Sequence, residues 1–134
     1  YRTPAGLRIM VLHDVFQPND PLVEEFFDSV NSDPQYVWMC KRQECFRARV
    51  SPKPWRVLSS DVEQKLDQGV WPVDESLMTE RKGWVSQYEK ASKGYASCRF
   101  ERHIGSDTVH DKCEKLRIVH DDYCKAEETG LPLA

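Results

Sequence analysis

The chain has no apolar run long enough to cross a bilayer, which excludes a helical membrane span. No signal-peptide pattern opens it, and no repeat, low-complexity tract or internal linker interrupts it. It also lacks a surplus of positive charge: 19 Lys and Arg against 22 Asp and Glu leave a formal net charge of −3. A generally basic nucleic-acid binder is therefore disfavoured, and any phosphate contact must come from local clustering. The Gly-rich phosphate loop, the G-x-S-x-G elbow and H-E-x-x-H are all absent, so no common catalytic signature applies. Five cysteines are an odd number, at spacings unlike a secreted disulfide framework, and indicate a reducing, cytoplasmic setting.

What is present is ordinary globular composition, 40% hydrophobic and 31% charged over 134 residues. That length suits one α+β domain, residues 1–134, able to bury a core without staples. The chain starts at Tyr1 rather than Met, and Y-R-T-P reads like the middle of a longer chain. The expectation is a C-terminal piece with a further strand upstream.

The most informative stretch is Glu44 to Arg56, E-C-F-R-A-R-V-S-P-K-P-W-R. Phe46, Ala48 and Val50 alternate with Cys45, Arg47 and Arg49, the period-2 pattern of a strand with one apolar face. Pro52 and Pro54 end that strand, because proline donates no ladder hydrogen bond and holds its predecessor extended. Two arginines on one strand face thus run into a stiff loop carrying Lys53, Trp55 and Arg56.

Around this stretch the pattern predicts a strand over Gly6–Leu12, with Leu7, Ile9 and Val11 inward and Arg8 on the opposite face. Inverting the faces would bury an unpaired guanidinium. Asp20-Pro21 and Asp33-Pro34 each predict a helix start, with an acceptor at the cap and proline in the first turn. The first helix has the stripe Leu22, Val23, Phe26 and Val30, and the second runs to about Arg42. Ser60–Glu63 forms a capping box for a short helix ending near Gly69. Ser76 caps a longer one to about Lys93, with Leu77, Trp84, Val85, Tyr88 and Ala91 on one face. A strand over Tyr95–Ile104 follows, with Ala96, Cys98, Phe100 and Ile104 alternating against Ser97, Arg99, Glu101 and His103. Ser106 or Asp107 caps a last helix whose stripe is Val109, Cys113, Leu116, His120 and Tyr123. The order is β-α-α-β-α-α-β-α: a small, mostly antiparallel sheet with helices packed on one face.

With the strands side by side, Arg8, Arg47, Arg49 and Arg99 share one sheet face, and Lys53 and Arg56 lie at its rim. Guanidinium groups bind phosphate oxygens bidentately, and Trp55 offers a surface on which a base can stack. The candidate ligand contacts are Arg8, Arg47, Arg49, Ser51, Lys53, Trp55, Arg56 and Arg99. The plainer alternative is a solvated face whose arginines pair with Glu44, Glu101 and helix acids. A zinc set can be drawn from Cys40, Cys45, His110 and Cys113, but Cys40 and Cys113 fall on separate helices and Cys45 at a strand start, so no metal is assigned. His120 with Cys124 or Cys113 reads as core at helical spacing rather than as a nucleophile pair. His13-Asp14 at a strand exit and His120-Asp121-Asp122 are isolated dipeptide-level signals.

Two segments carry a family resemblance. Tyr1–Ile9, Y-R-T-P-A-G-L-R-I, resembles the T-P-x-G-G-x-H strand of the archaeo-eukaryotic primase (primase-polymerase) superfamily. Phe46–Lys53, F-R-A-R-V-S-P-K, is similar to that family's R-x-P-G-S-x-H-x-K strand and loop. The resemblance implies a nucleoside triphosphate bound on an open sheet. The family's histidine position is Arg8 here, one glycine is Leu7, and the acidic D-x-D strand would lie upstream of Tyr1. The C-F-R-A-R-V-S-P-K-P-W-R run also looks similar to one in uncharacterised bacterial proteins, which implies no function. Three expectations result: a nucleotide- or single-stranded nucleic-acid-binding domain, a domain docking an acidic protein partner, or an enzyme completed by upstream residues. No cofactor is assigned.

Overall fold

Two Asp-Pro pairs start the first two helices in the computed structural model, which describes residues 1–58 and 74–134. Helix α1 is Pro21–Ser29, with Asp20 Oδ1 accepting from Leu22 N at 2.9 Å. Helix α2 is Pro34–Gln43, with Asp33 Oδ1 accepting from Gln35 N at 2.8 Å. Both carboxylates satisfy amides that a helix start leaves without intrahelical partners. Helix α2 stops at Glu44, whose φ of +50° is left-handed. Helix α3 is the single turn Pro54–Val57. Asp74 caps a 3-10 turn, Glu75–Leu77, that runs into α4, Met78–Ser92, and α5 is Asp111–Cys124. Strands β1 (Arg2–Thr3) and β2 (Gly6–Leu7) form an antiparallel hairpin with Arg2 opposite Leu7 and Thr3 opposite Gly6. Among the described residues the fold is thus mixed α+β and rich in helix.

The chain divides into two compact units, residues 1–9, 50–104 and 117–134, and residues 10–49 and 105–116. The second unit is organised by α1 and α2. Its core is Val23, Phe27 and Cys40, with Phe16, Tyr36 and Val37 packed against them. The stripe of α1 is therefore Val23 and Phe27, not the Leu22, Val23, Phe26 and Val30 set, because Leu22, Phe26 and Val30 face outward. The i, i+4 pair selects the face that meets Cys40 of α2. Cys113 Sγ donates to Asp14 O at 3.3 Å, and His110 N to Leu12 O at 2.8 Å, in the same unit.

The first unit is built around the hairpin. Gly6, at φ +155°, closes the Thr3–Gly6 turn in a conformation that side chains rarely adopt. Beyond the ladder, Tyr1 and Arg8 exchange backbone hydrogen bonds of 2.9 and 2.8 Å. The other edge of β1 bonds to Arg99: Arg2 N to Arg99 O is 2.8 Å and Arg99 N to Arg2 O is 2.9 Å. Ala96 bridges Leu133 in parallel, so the C-terminal tail returns to this segment. Its core is Cys98, Cys124 and Ala126, with Tyr1 and Val50 packed against them.

The three expected strands are much reduced. Gly6–Leu12 pairs only at Gly6–Leu7, Tyr95–Ile104 contributes isolated bridges, and Phe46–Val50 is in no ladder. Alternation in the last segment survives at Ala96 and Cys98, but Ser97 is buried too, its N bonded to Cys124 O and its Oγ to Val50 O. A ladder needs a partner strand along its length, and none of these segments has one among the described residues. The last helix starts at Asp111 rather than after Ser106 or Asp107, with His110 Nδ1 accepting from Lys112 N. Its buried face is His120 and Cys124, while Leu116 and Tyr123 of the expected stripe are exposed. The expected Ser60–Gly69 helix lies outside the described residues. No helix among them is long and apolar enough to cross a membrane.

Candidate functional site

The hairpin places Arg8 on the face opposite to the one expected. Leu7 and Ile9 are 72% and 53% exposed, whereas the Arg8 side chain turns into the first unit. Arg8 Nη1 lies 2.7 Å from His120 Nε2, 3.7 Å from Cys98 Sγ and 3.6 Å from Cys124 Sγ. The objection to burying this guanidinium is removed by those partners, since burial is costly only for a charge left unmatched.

His120 and Cys124 are one helical turn apart on α5 and so present their side chains on one face. Cys98 is held against them by backbone bonds on either side: Ser97 N to Cys124 O at 3.0 Å and Phe100 N to Ala126 O at 2.9 Å. The sulfur of Cys98 is 3.9 Å from His120 Nε2. Cys98 and Cys124 are fully buried and His120 is 2% exposed.

The other ring nitrogen faces a carboxylate. His120 Nδ1 donates to Asp121 Oδ1 at 2.8 Å, and Arg117 Nη1 donates to Asp121 Oδ2 at 3.0 Å. The Tyr1 ring stands edge-on to the imidazole with centroids 4.8 Å apart. Burial and a hydrogen bond to Asp121 push the Tyr1 phenol well above its usual range. Arginine has no acceptor, so the 2.7 Å contact makes Nε2 the acceptor and fixes a neutral ring with its proton on Nδ1. The Cys124 hydrogen bond draws the imidazole pKa upward, as does Asp121, against burial and the Arg8 charge. With Arg8 seated, the donor geometry decides for the neutral form. Cys124 is pulled down to about 5, first by its hydrogen bond from Cys98 and then by His120 and Arg8, against burial. Cys98 moves up correspondingly, because it keeps the proton it donates.

Cys124, His120 and Asp121 have the connectivity of a nucleophile, base and orienting acid. The burial of Cys124 and His120 keeps the sulfur out of contact with solvent. The arrangement instead satisfies a cation internally. Among the described residues, Cys98, His120 and Cys124 are the group whose donor atoms converge closely enough to hold a metal ion, all within 4.8 Å of one another.

The eight nominated ligand contacts divide between the two units. Arg8 is at the thiol–imidazole cluster. Arg99 is half-buried, its Nη2 donating to Leu131 O at 2.5 Å. Ser51, Lys53, Trp55 and Arg56 also belong to the first unit, Arg47 and Arg49 to the second. Arg47 Nε donates to Cys45 Sγ at 3.3 Å. Glu101 pairs bidentately with Arg2, at 3.0 and 2.9 Å. Only Ser51 to Arg56 remain contiguous. There Lys53 Nζ lies 5.0 Å from the centroid of the Trp55 ring, and Tyr88 Oη donates to Pro52 O at 2.6 Å. Of the drawn zinc set, Cys40 is in the core of the second unit and Cys113 bonds to Asp14 O.

Sequence reasoning set His120 beside Cys124 and, separately, beside Asp121, and placed Cys98 only on the apolar face of a strand. The usable signal was H-x3-C on one helix face together with a cysteine on the apolar side of an upstream segment. Compared with protein-family models, curated proteins and solved structures, the chain finds no match.

Proposed function

We propose that this chain is a binding domain for a phosphate-bearing ligand, a nucleotide or single-stranded nucleic acid, taken up at the Ser51–Arg56 turn. The observation that carries the reading is the exposed Trp55 ring, 53% accessible, with Lys53 Nζ against it and the exposed Arg56 next in sequence. A base can stack on the indole while the two cations reach its phosphates. The turn is held for this: Pro52 and Pro54 restrict the backbone, and Tyr88 pins it to α4. The proposed site is confined to the first unit, so Arg47 and Arg49 of the second are not counted among its contacts, and Arg8 and Arg99, turned inward, are left out. The resemblance to primase-polymerases, which implies a nucleoside triphosphate on an open sheet, agrees with such a ligand. The five cysteines are free thiols, which suits the cytoplasmic setting we propose.

The test is fluorescence anisotropy of a labelled single-stranded oligonucleotide across a salt series. Two neutralised phosphates give a slope of log Kobs against log[salt] of about −1.4. Trp55→Ala is expected to remove about 1–3 kcal/mol. Binding insensitive to both salt and Trp55→Ala, or no binding, would overturn this reading and favour docking of an acidic protein partner.

A further inference from the structure

The geometry points to a metal site: Cys98, His120 and Cys124 bind a divalent cation of the zinc class, and Arg8 holds its place when the metal is away.

Four observations converge on this. The first is donor chemistry, because two thiols and an imidazole are the ligand types that select zinc-class ions over magnesium or calcium. The second is spacing. Zinc at its usual 2.3 Å from sulfur and 2.0–2.1 Å from nitrogen puts those atoms about 3.5 Å apart in a tetrahedron. Cys98 Sγ and His120 Nε2 are already 3.9 Å apart. The third is the Asp121 carboxylate on His120 Nδ1, which leaves the Nε2 lone pair facing the sulfurs. Metal-bound histidines are held by an outer carboxylate in this way. The fourth is that a cation is seated there: one Arg8 nitrogen lies within hydrogen-bonding reach of all three donors. A pocket that draws in a guanidinium is electrostatically built for positive charge.

Arg8 and the metal exclude one another, since both need the Nε2 lone pair. Metal entry therefore breaks the Arg8–His120 contact and moves the guanidinium aside. Both sulfurs bind as thiolates, any remaining thiol proton being released on metal entry, so two negative sulfurs offset the divalent charge. Water completes the fourth position. Because all three ligands are buried, the ion serves to tie the hairpin, the Ser97–Phe100 segment and the end of α5 together rather than to meet a substrate. The plain alternative is a packed thiol–imidazole core that binds nothing.

Cobalt(II) titration of the chelator-treated, reduced chain separates these. One ion per chain is expected, with tetrahedral d–d bands and thiolate-to-cobalt charge transfer that added zinc removes. Cys98→Ser and Cys124→Ser should each reduce the charge transfer per bound ion by about half, one thiolate of two being lost. Cys113→Ser should leave the spectrum unchanged. Asp121→Asn keeps every ligand and guards against variants that fail to fold; it should weaken cobalt binding about 10- to 100-fold. Arg8→Gln should tighten binding about tenfold, the factor that separates a competing charge-assisted hydrogen bond from the neutral one its amide can still make. Absence of tetrahedral bands at stoichiometric cobalt, or bands that survive both cysteine variants, would overturn the site. Unchanged or weaker binding in Arg8→Gln would overturn the role given to Arg8.

Discussion

Arg8→Ala is the substitution on which the sequence pattern and the structure disagree most sharply. As a solvent-facing phosphate contact, Arg8 could be truncated with a change within about ±0.5 kcal/mol, as at ordinary surface positions. In the structure its loss leaves His120 Nε2, on a 2% exposed side chain, without the donor at 2.7 Å. An abandoned buried acceptor costs about 1–3 kcal/mol, so about 2 kcal/mol is expected for the metal-free chain. For a domain of this size that corresponds to about 3–5 °C per kcal/mol, or a fall in Tm of about 6–10 °C. The assay is a thermal melt by circular dichroism with chelator present, with Arg47→Ala as the surface comparison. Arg8→Gln, whose amide can still donate, should recover part of the loss. Saturating zinc should close the gap between Arg8→Ala and the parent, because the metal then occupies the position. An Arg8→Ala melt within about 1 °C of the parent in chelator would refute the inward placement of this side chain.

Phe27→Ala should cost about 3–5 kcal/mol by denaturant unfolding, because it empties the centre of the second unit's core. Leu22→Ala, on the outer face of the same helix, should stay within about 0.5 kcal/mol, and equal losses would restore the expected stripe. The pH dependence has a definite sign at Arg2–Glu101, where the Arg2 hydrogen bonds hold the Glu101 carboxyl below its usual range. A depressed folded pKa gives stabilisation that is fully present above the unfolded glutamate value of about 4.3 and is lost as pH falls through the lower folded one. Glu101→Gln should therefore flatten the acid limb of the stability curve at low ionic strength, and superimposable limbs would refute the coupling.

How much was legible followed from how local each signal was. Asp20-Pro21 and Asp33-Pro34 placed two helix starts correctly because cap, amide and proline lie within three residues of one another. The end of α4 near Lys93 was equally local. Phe46–Val50 shows the converse, since period 2 states which faces a strand would have but not whether a partner exists. The orientation of Arg8 was misread for a related reason. The rule against an unmatched buried guanidinium was sound, but the matching groups are 90, 112 and 116 residues away in sequence. Cys98, His120 and Asp121 each looked like a residue of another feature until the fold placed them around one point. The Ser51–Arg56 stretch was read as a stiff cationic loop, and the structure places a single helical turn, Pro54–Val57, within and just beyond it.

The composition of the first unit's core explains why a polar cluster sits at its centre. Among the described residues its hydrophobic cluster is Cys98, Cys124 and Ala126, all small, with Tyr1 and Val50 only partly covered. Leu7, Ile9 and Ile104 of the same unit, which could have supplied far more apolar area, are exposed. A cysteine or alanine removes much less surface from water than a leucine or isoleucine, so hydrophobic burial contributes correspondingly less there. Around this cluster, directional contacts hold the described segments together: the Arg2–Arg99 and Ala96–Leu133 bridges, and the Arg8, His120 and Asp121 chain of hydrogen bonds. Such a network is stabilising when complete and costly when one member is missing. Domains with little core of their own gain most from a crosslink that binds only the folded state, as a structural metal does. The small side chains of this cluster, among the described residues, and the convergence of two thiols and an imidazole at it are therefore two sides of one physical requirement.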